Sequence, residues 1–181
     1  MSVGKFIIVL VGPSGSGKTS LGSELTKAGY PKLVTTTTRS KRPGEQEGED
    51  YYFRAASELE ADDFVEQTVY NNHMYGLTKA EVQEALAHHD IVHVSLDRNG
   101  VHALSRQYPD IAVTCFITIS EEEMARRMAK RGDSPRKINE RISFCREIGE
   151  LTPPQETDYV IENNHFQQAV NELLAMIDQL K

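Results

Sequence analysis

The chain has 181 residues, of which 39% are hydrophobic and 26% charged. This is the mix of one ordinary globular domain, long enough for a single sizeable core, and it excludes a disordered, collagenous or coiled-coil chain. The net charge of −7 argues against a nucleic-acid surface, and two cysteines, Cys115 and Cys145, make neither a disulfide framework nor a metal cluster, so a reducing, cytoplasmic compartment is expected.

Phe6 to Val11 (FIIVLV) is fully apolar and is followed by glycine, as in a strand buried on both faces. It is too short to span a bilayer and no small-residue cleavage site follows it, so neither a membrane anchor nor a secretory signal is expected. A helical pattern comes next, with Leu21, Leu25 and Ala28 on one face and Gly29 as its stop. Residues 33–38 read as one strand. The stretch 40–50 (SKRPGEQEGED) is rich in turn residues. Short strands are expected at 51–54, 64–70 and 74–76, with Asn71-Asn72 as a turn.

Residues 78–88 read as a helix with Val82, Ala85 and Leu86 facing inward. Runs 91–96 and 111–119 read as buried strands, each followed by a helix, at 98–107 and 120–131. Another helix covers 136–150, a last strand 158–162 and a closing helix 164–180. Alternating strands and helices indicate an α/β fold with a parallel sheet. Short strands without intervening helices mark residues 35–78 as an inserted, mostly β subdomain. RGDSPR at 131–136 reads as the tip of a mobile flap. The expected single domain therefore has a core over 1–34, 79–125 and 147–181, the insert, and a helical lid over 126–146.

Charge is unevenly spread. Residues 126–146 carry eight Lys or Arg against two acids, Asp133 and Glu140. A basic island in an acidic chain suits a small polyanion better than a nucleic acid.

Residues 12–19 (GPSGSGKT) match G-x-x-x-x-G-K-[ST], placed after an apolar strand and at the opening of a helix. In that setting glycines let backbone N–H groups turn toward phosphate oxygens, and the helix N-terminus adds its positive end. Gly12, Pro13, Ser14, Gly15, Ser16, Gly17, Lys18 and Thr19 are thus the candidate ATP cradle. Lys18 reaches the terminal phosphates and the Thr19 hydroxyl holds Mg²⁺. No N-K-x-D base reader of a signalling GTPase occurs. That leaves an enzyme that moves the γ-phosphate to a small acceptor.

Arg39 and Arg42 lie three apart in the turn-rich loop, where two planar guanidinium forks can converge on one phosphate. Tyr51 can add a hydroxyl.

The stretch from Thr35 to Phe53, TTTTRSKRPGEQEGEDYYF, resembles the guanylate kinase pattern S/T-x-T-T-R-x-x-R-x-G-E-x-x-G-x-D-Y-x-F. The resemblance continues through Phe64-Val65-Glu66, Tyr75-Gly76, Arg127, Arg131-Gly132, Arg141 and Asp158-Tyr159-Val160-Ile161 with Asn163, in order along nearly the whole chain. It implies a P-loop NTPase core whose parallel sheet is flanked by helices, with a mostly β acceptor-binding insert and a helical lid. It implies phosphoryl transfer from ATP to GMP or dGMP, with Mg²⁺.

The GMP site it implies is Thr35, Arg39, Arg42, Glu45, Tyr51, Glu66, Tyr75 and Gly76. Arg39, Arg42, Tyr51 and Tyr75 hold the acceptor phosphate, and Glu45 supports the loop arginines. Glu66 accepts from the N1–H and exocyclic amine of guanine, a donor pair adenine lacks, and Thr35 donates to O6. Polar pairing of this kind rejects a mismatched base by roughly 10⁴-fold. Lys18, Arg42, Arg127, Arg131 and Arg141 are the implied catalytic cations, since charge spreads over the transferred group in the transition state. Thr19 and Asp97 are the implied metal ligands. No general base is needed, so His88, His89 and His93 are expected to be solvent-facing or structural.

The chain departs from the family pattern at Leu77, where Ser or Thr follows Tyr-Gly, at Ser95, where an acid precedes Asp97, and at a lid tip one residue shorter. At Leu77, either Thr78 substitutes through a shifted turn or one acceptor contact is lost. A kinase with another acceptor base and a non-catalytic guanylate-kinase-like binding module remain as alternatives, and the chain is expected as a monomer or homodimer with no membrane or nucleic-acid partner.

Overall fold

A computed structural model describes residues 4–70 and 72–181. The central sheet is parallel, in the order β6-β1-β7-β8, from β1 (Phe6–Val11), β6 (Ile91–Ser95), β7 (Ala112–Thr118) and β8 (Tyr159–Glu162). Side chains alternate across β1, so it feeds two cores. Ile7, Val9 and Val11 face α2 (Lys79–His88) and α3 (Arg98–Gln107) through Val82, Leu86, Val101 and Leu104. Ile8 and Leu10 face α1 (Lys18–Lys27) and α6 (Phe166–Gln179) through Leu21, Leu25, Val170 and Leu173. Ile7 to Leu10 are wholly buried. Each such side chain contributes about 1.5–3 kcal/mol of apolar transfer free energy.

The strand expected over 33–38 forms only at Thr36–Thr37, and the segment before it makes one isolated bridge, at Lys32, to the central sheet. Pro31 O accepts from His93 N–H and Leu33 N–H donates to His93 O, which lays this segment along the outer edge of β6. The chain then crosses over, and β2 (Thr36–Thr37) joins the second sheet. That sheet has the order β3-β2-β5-β4, with β3 (Tyr52–Phe53), β4 (Phe64–Tyr70) and β5 (His73–Thr78). β2 pairs parallel with β3 and antiparallel with β5, and β4 and β5 form an antiparallel pair with a bulge between Phe64 and Glu66. The expected strand at 51–54 is shorter, and that at 74–76 is longer. Of the expected Asn71-Asn72 turn, Asn71 lies outside the described residues, while Asn72 has a φ of +62°. The sheet is not independent of the main core: β4 packs on α3, and Val65 and Leu77 join the α2–α3 side.

α4 (Glu121–Lys130) and α5 (Pro135–Glu147) pack on each other over a separate small core of Ile119, Met124, Met128, Ile138, Ile142 and Cys145. Ser120 and Ser134 cap them, each side chain accepting a backbone N–H three residues on. The helix expected to reach 150 stops at Glu147, because Gly149 turns to a φ of +74°.

His88 and His89 are exposed, as expected. His93 is buried, with Nε2 2.9 Å from Thr26 Oγ1. Burial pushes its pKa down to about 4, so it is a neutral structural residue.

Candidate active site

The strand-to-helix turn after β1 takes up the backbone its glycines permit. Gly12, Gly15 and Gly17 have φ of +153°, +82° and +94°. A Cβ on Gly17 would stand 2.3 Å from Asn163 Nδ2, so glycine is also needed for close packing there. Asn163, just past β8, is fully buried and donates from Nδ2 to Ser16 O at 2.7 Å. The resemblance contained Asn163, and its buttressing of the P-loop was not legible. Ser16 Oγ is buried with no partner among the described residues, an unspent polar group inside the cradle.

The Lys18 ammonium folds back onto the loop, donating to Gly12 O at 2.6 Å and Pro13 O at 3.0 Å. Burial holds its pKa below the usual lysine value, opposed by the charge of Glu150 and reinforced by Arg141. Lys18 borders two spaces. One is an open cleft of about 1150 Å³ between the P-loop, α1, α4 and the segment after β8, with Thr19, Arg127, Arg131 and Asn163 on its walls. The other is a cavity of about 290 Å³ lined by Gly12, Ser14, Ser95, Asp97, Arg98, Arg141 and Glu150.

The lid arginines divide between these spaces. Arg127 Nη1 lies 3.4 Å from the Cβ position of Gly17, and Arg131 Nη2 lies 3.7 Å from that of Gly15. Both therefore hang over the P-loop, as their i, i+4 spacing on α4 requires. Arg127 is tied down: Nε donates to Glu123 at 2.8 Å and Nη2 to Asn163 O. Arg141, on α5, reaches the smaller cavity instead and stacks 5.8 Å over the Phe144 ring.

In the second sheet, Arg39 is held from several sides. Its two terminal nitrogens donate to Glu45, Nη1 also donates to Ser40 O at 2.8 Å, and Nε donates to Tyr75 Oη at 3.2 Å. The rings of Tyr51 and Phe53 lie 5.5 and 5.7 Å from the guanidinium carbon. Tyr51 also meets Tyr75 edge-on, with centroids 5.8 Å apart. Arg42 joins through its backbone, its N–H donating to Glu45 Oε2 at 2.8 Å, while its side chain is exposed. The register puts these residues together: Thr37 pairs with Tyr75, Thr38 N–H donates to Met74 O, and Thr35 O accepts from Tyr52 N–H.

Glu66 sits on β4, half-buried beside the start of α3. Its Oε1 accepts from Leu77 N–H at 3.0 Å. Its pKa is pushed up to about 7, first by burial and also by the charge of Asp97, against the Leu77 hydrogen bond. Gly76, opposite, has no room for a side chain: a Cβ would meet Glu66 O and the Phe64 ring, both at 2.5 Å.

Leu77 is wholly buried in the core and serves the site through its N–H. Thr78 Oγ1 caps α2 by accepting from Glu81 N–H, which commits the hydroxyl to the helix start as an acceptor and leaves its O–H to donate. Ser95 is exposed on the small cavity wall.

Mg²⁺ requires oxygen ligands and keeps several waters and phosphate oxygens. Thr19 and Asp97 meet that chemistry. Thr19 is exposed on the large cleft, and Asp97 spends Oδ1 on Gly100 N–H at 2.8 Å, with its other oxygen left over. They border different spaces, on either side of Lys18. Among the described residues no cluster of three or more His, Cys, Asp or Glu is arranged to hold an ion by itself. This donor set suits a metal that arrives with nucleotide.

Sequence reasoning passed over Glu150, Cys145 and Arg98, which border or brace the smaller cavity. Arg98 fills an unspecified position in the stretch from Ser95 to Gly100, and only the glycine just before Glu150 marks the other spot.

A family model for guanylate kinase matches residues 5–180. The chain is 39% identical over 180 residues to a guanylate kinase of Synechococcus sp. (strain JA-3-3Ab), covering 94% of this chain and 81% of that one. It is 34% identical over 184 residues to a guanylate kinase of Fusobacterium nucleatum subsp. nucleatum, covering 98% of each. In fold, it is similar to the crystal structure of guanylate kinase from Anaplasma phagocytophilum, with a TM-score of 0.63 at 24% identity over 98% of this chain and 86% of that one.

Proposed function

The chain belongs to the guanylate kinase family, and from that premise we propose how its residues share the work. It is an ATP-dependent kinase of purine nucleotide metabolism that passes the terminal phosphoryl group of ATP to GMP, giving ADP and GDP.

In this reading ATP lies in the large cleft on residues 12–19, and the insert at 35–78 receives GMP. Arg39, Arg42, Tyr51 and Tyr75 bind the acceptor phosphate, with Glu45 orienting both arginines. Glu66 reads the N1–H and amine of guanine, and Thr35 reads O6. Gly76 admits Glu66 at close range. An acceptor phosphate oxygen, already ionised at neutral pH, attacks the γ-phosphorus in line with the leaving ADP oxygen, so no base is required. Lys18 leaves the carbonyls of Gly12 and Pro13 for the terminal phosphates. Arg42, Arg127, Arg131 and Arg141 then neutralise charge that grows in the transition state. Thr19 and Asp97 would hold Mg²⁺, which would supply neutralisation of phosphate charge. Closure of the 35–78 insert and the 126–146 lid onto the core excludes water that would otherwise hydrolyse ATP.

All these residues come from one chain, so a monomer and each half of a homodimer carry a complete site. Both cysteines are free and buried, which supports a reducing compartment, the cytoplasm. Among the described residues no helix is long and apolar enough to cross a membrane.

One observation carries the reading: Asp97 lines the cavity of Lys18 and Arg141 and caps α3, against which the strand of Glu66, β4, packs. The phosphate cradle and the proposed base reader are therefore neighbours. Calorimetric titration tests it. Glu66→Ala and Arg39→Ala are expected to lose GMP binding and keep ATP binding, whereas loss of both ligands together, or of neither, refutes the division.

A further inference from the structure

Glu150 lies just beyond α5, and Cys145 holds it through two atoms. Its N–H donates to Cys145 O at 2.8 Å. Its Oε2 accepts from the buried Cys145 Sγ–H at 3.2 Å. From the other side, Arg98 Nη1 donates to Gly149 O and Thr152 O, both at 2.6 Å, so the loop is tied to the start of α3. The carboxylate borders the small cavity together with Lys18, Arg98 and Arg141, and Asp97 is the other acid there.

Three cations around one partly enclosed space repel each other, and in a low-dielectric setting they splay toward water unless an anion is fixed among them. Asp97 is partly spent, its Oδ1 accepting from Gly100 N–H. Glu150 faces the same cavity as Lys18 and Arg141, with its carboxylate anchored on Cys145.

We propose that Glu150 is a positioning residue for phosphoryl transfer, a fixed counter-charge that keeps the Lys18 ammonium and the Arg141 guanidinium converged on the small cavity. This rests on the reading of Lys18 and Arg141 as phosphate-facing cations. The Phe144 ring supports Arg141 from below, and Glu150 supplies the opposing charge. Pre-placed cations stabilise the transition state without reorganising at the moment of transfer. The same carboxylate repels the incoming triphosphate. Its loss therefore acts in opposite directions on chemistry and on ground-state binding, a split that a merely structural residue does not produce.

Steady-state kinetics and thermal midpoints of the full chain test this, with Glu150→Gln, Glu150→Asp, Lys18→Ala, Arg141→Ala and the double variant Glu150→Gln/Arg141→Ala. Glu150→Gln is expected to lose roughly tenfold in kcat with KM for ATP unchanged or lower and a thermal midpoint within about 2 °C of the parent. Glu150→Asp recovers part of kcat. In the Arg141→Ala background the Gln change costs less than it does in the parent, because one of the two cations it serves is gone. Parental kcat in Glu150→Gln overturns the proposal, as does a lower kcat accompanied by a higher KM for ATP and a lower midpoint. If Lys18→Ala and Arg141→Ala leave kcat intact, the reading of those cations fails first. If both slow turnover and Glu150→Gln does not, only the role of Glu150 fails.

Discussion

Arg39 and Glu45 form a two-pronged ion pair, with Nη1 to Oε2 at 2.9 Å and Nη2 to Oε1 at 2.6 Å. Because Oε2 also takes the backbone N–H of Arg42, one carboxylate sets both the side chain of one arginine and the main chain of the other. Glu45→Gln keeps the size but loses the charge and one prong. It is expected to raise KM for GMP by about tenfold or more while KM for ATP stays within about twofold. The Arg39 hydrogen bonds, with the Arg42 N–H, hold the Glu45 pKa down to about 2. A folded pKa below the unfolded value adds stability above about 4.5, and that contribution is lost as pH falls toward 2. Urea titrations are expected to show a shallower loss of stability in acid for Glu45→Gln.

Glu66 behaves in the opposite sense. Burial raises its pKa to about 7, so the free enzyme carries it protonated below that pH. A protonated carboxyl cannot accept from both guanine donors. The pH profile of kcat/KM for GMP is therefore expected to rise through about 7, and Glu66→Gln is expected to remove that limb. The GMP phosphate titrates near 6 in both proteins and remains as a control. For stability, a folded pKa above the unfolded one helps below about 4.5 and is lost as pH rises through 7. Glu66→Gln is thus expected to gain stability relative to the parent between pH 5 and about 8, as read by urea midpoints.

Gly76→Ala places a methyl 2.5 Å from both Glu66 O and the Phe64 ring. Neither neighbour is the free end of a flexible chain, so the β4–β5 pair must spread. The expected cost is about 2–3 kcal/mol in chemical denaturation, with GMP binding weakened more than ATP binding.

Thr19→Ala removes a hydroxyl from the proposed metal position while leaving the backbone N–H groups of the phosphate cradle and Lys18 in place. It is expected to raise severalfold the Mg²⁺ concentration that gives half-maximal rate, with near-parental turnover at saturating Mg²⁺. An unchanged Mg²⁺ titration would remove Thr19 from the metal site.

Much of this architecture is legible in the residues, for identifiable reasons. GPSGSGKT sits between a wholly apolar strand and a helix, and α3 runs over 98–107 as its pattern predicts, because Asp97 caps it. The run Thr35 to Thr38 misleads: four identical β-branched residues carry no period, so nothing in them marks where the chain leaves one sheet for another. Leu77 shows the same limit in the site. Its side chain looks like a lost contact, yet its backbone N–H holds Glu66, and main-chain donors leave no trace in residue type. Glu150 is an acid in an acidic chain, and only the fold brings it to Lys18.

The central claim is that Glu66 chooses the base while Lys18 and the arginines move the phosphate. Initial rates with ATP and each of GMP, IMP, AMP, CMP and UMP, for the parent and for Glu66→Ala, test it most directly. The account predicts rapid turnover of GMP alone by the parent, and a collapse of the GMP rate in the variant that narrows its margin over IMP and AMP. A parent that prefers another monophosphate, or a Glu66→Ala enzyme that keeps the full preference for GMP, would contradict it.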